Sequence, residues 1–250
     1  MENSLLVALS RQVALQRELD VVANNVANVN TTGFRREGVQ FEEFLLSRGS
    51  ADAFQRPDRR LSFTQDRATY SDFQPGQMEV TNNPLDVAIQ GDGFFVVQTP
   101  NGERYTRAGA FQLDNQGRMV TVSGEPVLSD SGPITITAED GAVSIGRDGS
   151  VATEQGTRGR LRVATFASPQ FLIKEGNGLF RAPDGVAPAV PADGTVRFVQ
   201  GMREGSNVKP VLELSRLIEL NRAYVSVSSL IQRGDELRKS AIQTLSEIPS

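Results

Sequence analysis

Steps of three and four residues from Leu5 reach Ala8, Gln12, Leu15, Leu19, Val22, Val26 and Val29, and seven of these eight positions are apolar. This is a heptad seam, the pattern of a helix that buries one stripe against another helix. No Gly or Pro interrupts residues 3 to 29. The helix is expected to end near Asn30, where Thr31-Thr32-Gly33 brings β-branched residues and then a glycine able to take φ > 0. The other end repeats the device. From Leu217 the same walk meets Leu220, Tyr224, Val227, Ile231, Gly234, Arg238, Ala241 and Leu245, seven of nine being apolar or aromatic. Ser206 or Asn207 suits the N-cap, and Pro210 suits the first turn. Glu219–Arg222 and Asp235–Lys239 decorate the polar face. A lone helix is marginal in water, so each seam needs a partner, and the nearest is the opposite terminus.

The middle is of another kind. Between Pro84 and Gln200 the turn dipeptides Asn101-Gly102, Asp148-Gly149 and Asp193-Gly194 punctuate short β-prone runs such as 94–98, 117–122 and 160–166. That punctuation predicts an antiparallel β domain of about ten short strands. The expected class is therefore α+β: long N- and C-terminal helices pairing as a coiled coil, with a central antiparallel β-rich domain. The boundaries fall at 1–46 for the N-terminal assembly helix and following segment, 47–75 for an extended polar connector, 76–205 for the β domain and 206–250 for the C-terminal assembly helix.

Composition narrows the function. There is no cysteine and no histidine, which removes disulfides, thiol nucleophiles, thiolate metal sites and the commonest general base. The net charge of −4 gives no general attraction to nucleic acid. The arginine-rich stretch 31–70 holds seven arginines against six acids, a mixed and solvated segment. No apolar run approaches the ~20 residues of a membrane helix. Met1-Glu2-Asn3 lacks a basic n-region, so a cleaved secretory leader is not expected. Gly91-Asp92-Gly93 is followed by no Gly-Lys-Ser/Thr, so it is not a phosphate loop. Asp114-Asn115-Gln116-Gly117 reads as a hairpin turn rather than a calcium loop. Phe94, Phe95 and Phe111 read as β-domain core. No enzyme activity, metal, cofactor or small-molecule substrate is expected.

One segment asks for a specific explanation. Asn24-Asn25-Val26-Ala27-Asn28-Val29-Asn30 puts four asparagines in seven residues at a helix end, and Asn25, Asn28 and Thr32, at i, i+3 and i+7, are expected to share a face. They serve either as solvated amides at a fraying end or as hydrogen-bonding groups between packed helices. The run 23–34 is similar to the N-terminal signature of the bacterial flagellar rod and hook protein family. Three further segments resemble the same family in the same order: Pro84 to Phe95, Tyr105 to Phe111 with Asp114 and Gly117, and Gly205 to Val208 with Arg222-Ala223-Tyr224 and Asp235-Glu236-Leu237. The length of 250 residues and the Met1-Glu2-Asn3-Ser4-Leu5-Leu6 start look most like its proximal rod members, with distal rod members the near alternative. Where relatives follow Arg-Ala-Tyr with Glu-Ala-Asn, this chain has Val225, Ser226 and Val227.

The resemblance implies a structural subunit, exported by the flagellar type III apparatus and stacked helically in the basal-body rod across the periplasm, with other rod proteins as partners and self-polymerisation or the capping of a neighbour both left open. Its terminal helices would assemble and its β domain would lie outside. The expected interface residues are Leu15, Leu19, Val22, Asn24, Asn25, Asn28, Thr32, Gly33 and Phe34 at one end. At the other they are Leu217, Leu220, Tyr224, Val227, Leu230 and Ile231. The rival from another class is a secreted β-domain binding module with a coiled-coil stem.

Overall fold

The computed structural model describes residues 2–46, 61–192 and 194–246. Helix α1 spans Glu2–Ala27, followed by β1 at Glu37–Leu46 and β2 at Leu61–Ser71. The short strands β3 to β10 are Met78–Val80, Val87–Gln90, Phe94–Thr99, Gly102–Thr106, Phe111–Leu113, Met119–Thr121, Leu128–Ser129 and Gly132–Pro133. Strands β11 to β18 are Ser144–Ile145, Ser150–Thr153, Gly156–Arg160, Val163–Ala164, Ile173–Gly176, Leu179–Arg181, Arg197–Gln200 and Met202–Glu204, and α2 is Pro210–Ser246. The class is α+β, with a helix at each end and an antiparallel β region between them. The β region is more finely divided than about ten strands, because many pairings last only two or three residues. Strand β2 falls inside the polar stretch 47–75, where Phe63, Thr64, Thr69 and Tyr70 supply β-formers. Residues 47–60 lie outside the described residues.

The chain divides into two compact units that interleave in sequence. One draws on Met1–Ala27, Glu37–Tyr70 and Lys209–Ser250; the other on Asn28–Arg36 and Ser71–Val208. Helix α1 stops at Ala27, and in the segment that follows it Thr31 N–H donates to the Asn28 carbonyl and Phe34 N–H to that of Thr31. Helix α2 opens on Pro210, whose missing N–H falls where a first-turn donor has no intrahelical acceptor. At about 1.5 Å per residue, its 37 residues run roughly 55 Å. Asn207 does not cap α2. Its side chain accepts from Arg36 N–H and donates to the carbonyls of Asp72 and Gln74, all within the β unit. Strands β1 and β2 form a two-stranded sheet, where Tyr70 lies against Gly38 so closely that a Cβ there would sit 2.5 Å from the ring.

The β unit is built on the sheet β14-β5-β6-β16-β15. Strand β5 explains the unbroken apolar run Phe94-Phe95-Val96-Val97. Successive side chains point to opposite faces, and both faces are covered. Phe95 and Val97 enter one cluster with Ile89, Phe111, Met119 and Phe198, while Phe94 and Val96 enter another with Tyr105 and Phe180. Phe95 meets Phe111 edge to face, with centroids 5.0 Å apart, and Phe94 meets Phe180 likewise. All three phenylalanines expected in the core are buried. Asp114 makes the β7–β8 turn by accepting from Gln116 and Arg118 N–H, with Gly117 at φ +73°. The unit closes on its own ends: β17 pairs with β4 and β18 with β3, both antiparallel.

Candidate assembly surfaces

In the helical unit, Leu15 and Val22 of α1 and Leu220 of α2 form a buried cluster, flanked by Leu19, Leu217, Ala223, Tyr224 and Val227. The two heptad seams thus meet each other. Gln12 Nε2 donates to Tyr224 Oη at 3.3 Å at the edge of this cluster, and Arg216 pairs with Glu18. Leu230 and Ile231 lie beyond it: Leu230 is 57% exposed and Ile231 half-buried. Among the described residues nothing lies within 4 Å of where a Cβ on Gly234 would sit, so they make no close helix approach there.

The asparagine run divides by role. Asn25 is fully buried, accepts from Glu37 N–H at 2.9 Å, and donates to the Glu37 carbonyl and to Glu213 Oε2. One amide thereby ties α1 to the start of β1 and to the first turn of α2, whose Glu213 is also buried. Asn24 is exposed. Asn28 and Thr32 lie past the end of α1, so they do not continue a ladder on Asn25's face; Asn28 Oδ1 instead accepts from Thr31 Oγ1.

A second apolar surface was not part of the heptad reading. Leu6, Leu9 and Val13 on α1 are about half exposed or more, as are Val211, Leu214, Ile218 and Val225 on α2. Their spacings of three, four and seven set each group along one side of its helix, roughly 130° around from the seam at 3.6 residues per turn. Leu212, Leu230 and Leu237 add exposed apolar side chains on a further side of α2. The signal was present in the sequence. A helix apolar on several sides is one that meets several neighbours.

In the β unit, the segments leading to and from the helices are fastened together. Gly33 N–H donates to the Glu204 carbonyl and Asn207 N–H to that of Phe34. Gly33 has φ +66°, and a Cβ there would lie 2.4 Å from Ala108 N. Phe34 is buried, with Lys174 Nζ 4.0 Å from its ring centroid. Beside them Glu204 Oε1 accepts from Arg35 at 2.7 Å and from Gly76 N–H at 2.9 Å, while Oε2 faces Arg107 at 3.5 Å. Arg35 also donates to the Gln74 carbonyl, and Arg107 to that of Gly91. All three ionic side chains are buried. Burial draws the Arg107 guanidinium down to about 10, against the pull of Glu204, so it stays charged near neutrality. Sequence reasoning missed this triad, since 169 positions separate Arg35 from Glu204.

Among the described residues, no group of three His, Cys, Asp or Glu side chains is placed to hold a metal ion. What the molecule offers is surface. Comparison with known proteins says which kind. Residues 5–35 match the family described as flagella basal body rod protein, 88–153 the flagellar hook protein FlgE/F/G D1 domain, and 199–244 the flagellar basal body rod FlgEFG protein C-terminal region. The chain is 40% identical to the flagellar basal-body rod protein FlgF of Caulobacter vibrioides, over 99% of this chain and all of that protein. It is 37% identical to FlgF of Mesorhizobium japonicum, over 98% of each. To the flagellar basal-body rod protein FlgG of Bacillus subtilis it is 34% identical, over 97% of this chain and 98% of that one. With helices at both ends, an antiparallel β region between them and likeness along its whole length, the chain belongs to the flagellar basal-body rod protein family and is a FlgF-like structural subunit of the rod.

Proposed function

We propose that the chain polymerises through its terminal helices, which pair as a coiled coil and pack against the helices of neighbouring subunits, so that the rod carries torque for motility. The observation that carries this is the second set of apolar stripes. Leu6, Leu9 and Val13, and Val211, Leu214, Ile218 and Val225, stay in water after the α1–α2 seam is filled. Full burial of such a side chain is worth about 1.5–3 kcal/mol, and these are already about half covered, so each gains about 1 kcal/mol and a row repeated in every subunit favours association. A head-to-tail contact that does not close on itself gives an open helical filament, the geometry of a rod. The partners in this reading are other rod proteins and further copies of the chain, in the proximal rod across the periplasm, after delivery by the flagellar type III export apparatus. Identities of 40% and 37% to two FlgF proteins, over nearly the whole of each chain, support the proximal position.

The test separates folding from assembly. Ile218→Asp and Leu230→Asp place a carboxylate on exposed positions, so the isolated protein should lose no more than about 1 kcal/mol, mostly helix propensity. In a water-excluding contact the same carboxylate costs several kcal/mol at every subunit added. The expected result is a purified chain destabilised by no more than about 1 kcal/mol on urea unfolding, with loss of swimming and of the chain from basal bodies. Normal assembly by Ile218→Asp would overturn the proposal.

A further inference from the structure

The small sheet β11-β12-β13 is net acidic at one end and net basic at the other, where Arg147, Arg160 and the nearby Arg197 outnumber the one acid, Asp148, which is held by Ser150. At one end, the turn between β12 and β13 presents Glu154, and the neighbouring 3-10 turn presents Glu139, both exposed. Asp140 between them is buried and held by Arg158, Thr137 and Thr153, so Arg158 is already engaged. Among the described residues neither Glu139 nor Glu154 has an ion-pair partner. At the other end, Gly146 to Gly149 turns β11 into β12, Gly146 N–H donating to the Ser150 carbonyl and Gly149 N–H to that of Gly146. This turn presents Arg147 beside β17, where Phe198 N–H donates to the Arg147 carbonyl. Arg147 and Arg197 line one cleft of 440 Å³ with Gln90, Val199 and Gln200. Both guanidiniums are exposed, and among the described residues neither has an ion-pair partner. Most other arginines of the β unit do, as Arg104 with Glu175, Arg118 with Asp114 and Arg203 with Glu79. At about 3.4 Å per residue, the four residues of β12 set the two ends roughly 15 Å apart.

We propose that this sheet makes an end-to-end contact between copies of the chain, the Glu139–Glu154 tip of one seating in the Arg147–Arg197 cleft of the next. The tip supplies two carboxylates on a protruding turn, and the cleft supplies two unpaired guanidiniums in a recess, the donor geometry suited to carboxylate. Because the surfaces are different and lie at opposite ends of one element, the contact is heterologous and does not use itself up, which suits a growing filament. Exposed ion pairs are individually weak and screened beyond about 8 Å at physiological salt. This contact therefore sets register and direction of stacking, while the helices supply the affinity. The inference rests on the assembly reading above.

The chain has no cysteine, so introduced thiols are the only ones present. Arg147→Cys with Glu154→Cys, expressed as the only copy, should give covalent dimers and a ladder of longer species when basal bodies are treated with a short bismaleimide. Each single-cysteine chain should stay monomeric. Swimming cells whose double-cysteine chain gives no covalent species would overturn this contact and leave helix-driven assembly standing. Dimers from a single-cysteine chain would replace it with a two-fold symmetric one. Absence of the unaltered chain from basal bodies would instead overturn the assembly reading itself. Charge exchange guards against a cysteine chain that fails to assemble. Arg147→Glu with Arg197→Glu should lower incorporation about tenfold, and adding Glu139→Arg with Glu154→Arg should restore it to within about twofold. Failure of the four-fold variant to recover would overturn the proposal.

Discussion

Replacing Glu204 by leucine removes the carboxylate that the buried guanidiniums of Arg35 and Arg107 both face. Glu204 and Arg35 have side chains 1% and 0% exposed, so water cannot take the carboxylate's place without opening the unit. Breaking a buried pair from one side costs about 3–5 kcal/mol, because the remaining charge stays buried. Gly76 N–H also loses its acceptor, roughly a further 1 kcal/mol. Against a total stability on the order of 5–15 kcal/mol, this is a large fraction, and it corresponds to a melting temperature lower by about 10 °C or more. Glu204→Gln keeps an acceptor for Arg35 and Gly76 and loses only the charge, so it should fall between. The neighbouring Arg203 supplies the control. Its pair with Glu79 is 39% and 51% exposed, and Arg203→Leu should cost less than about 1 kcal/mol. The assay is urea unfolding of the full chain followed by circular dichroism, comparing midpoints at equal m-value. Arg35→Met combined with Glu204→Leu should cost less than the two single changes added together, since Glu204→Leu alone strands two buried guanidiniums and the double change strands only that of Arg107. If Glu204→Leu and Arg203→Leu moved the midpoint alike, burial of the triad would not be what makes it matter.

Two further outcomes are expected. Hydrogen bonds from Arg158, then Thr137 and Thr153, hold the Asp140 carboxyl at about 2, below its ordinary 3.8, so the stability it contributes is present above about pH 4 and is lost as pH falls toward 2. Asp140→Asn should flatten that acid limb in a pH series of melting curves, and an unchanged limb would assign the acid sensitivity to other carboxylates. Gly33→Ala adds a Cβ 2.4 Å from the Ala108 nitrogen at a residue with φ +66°, so the backbone must move and about 2–3 kcal/mol should be lost on urea unfolding. A loss under about 0.5 kcal/mol would show that the approach relaxes freely.

The sequence made the helices legible because burial of one stripe leaves a period that survives in a single chain. Leu15, Val22 and Leu220 follow that period into the cluster. The turns at Asp114 and Gly149 were legible for a similar reason, since their geometry is fixed by residues within four positions. Strand β2 was obscured by its polar composition, and the sheet order by pairings such as β14 with β5 that join distant residues. The partner of Asn25 is Glu213, 188 positions away, and no local rule selects it. The exposed stripes were visible all along as Leu6, Leu9 and Val13. A seam search that stops at one face passes over them.

The pairing of β18 with β3 has a kinetic consequence. Met202 lies opposite Val80, so the β unit closes a loop of some 120 residues with its final strand. The entropy of that closure grows only slowly with length, but it must be met before the strand gains anything from pairing. A chain emerging with its N-terminus first, from a ribosome or through a narrow channel, therefore holds β3 and β4 as open edges until residues beyond 204 are free. The helical unit waits as well, because α2 lies beyond that point. Late closure keeps a partly emerged chain extended, and it leaves those edges open to pairing with other chains until the last strands are free.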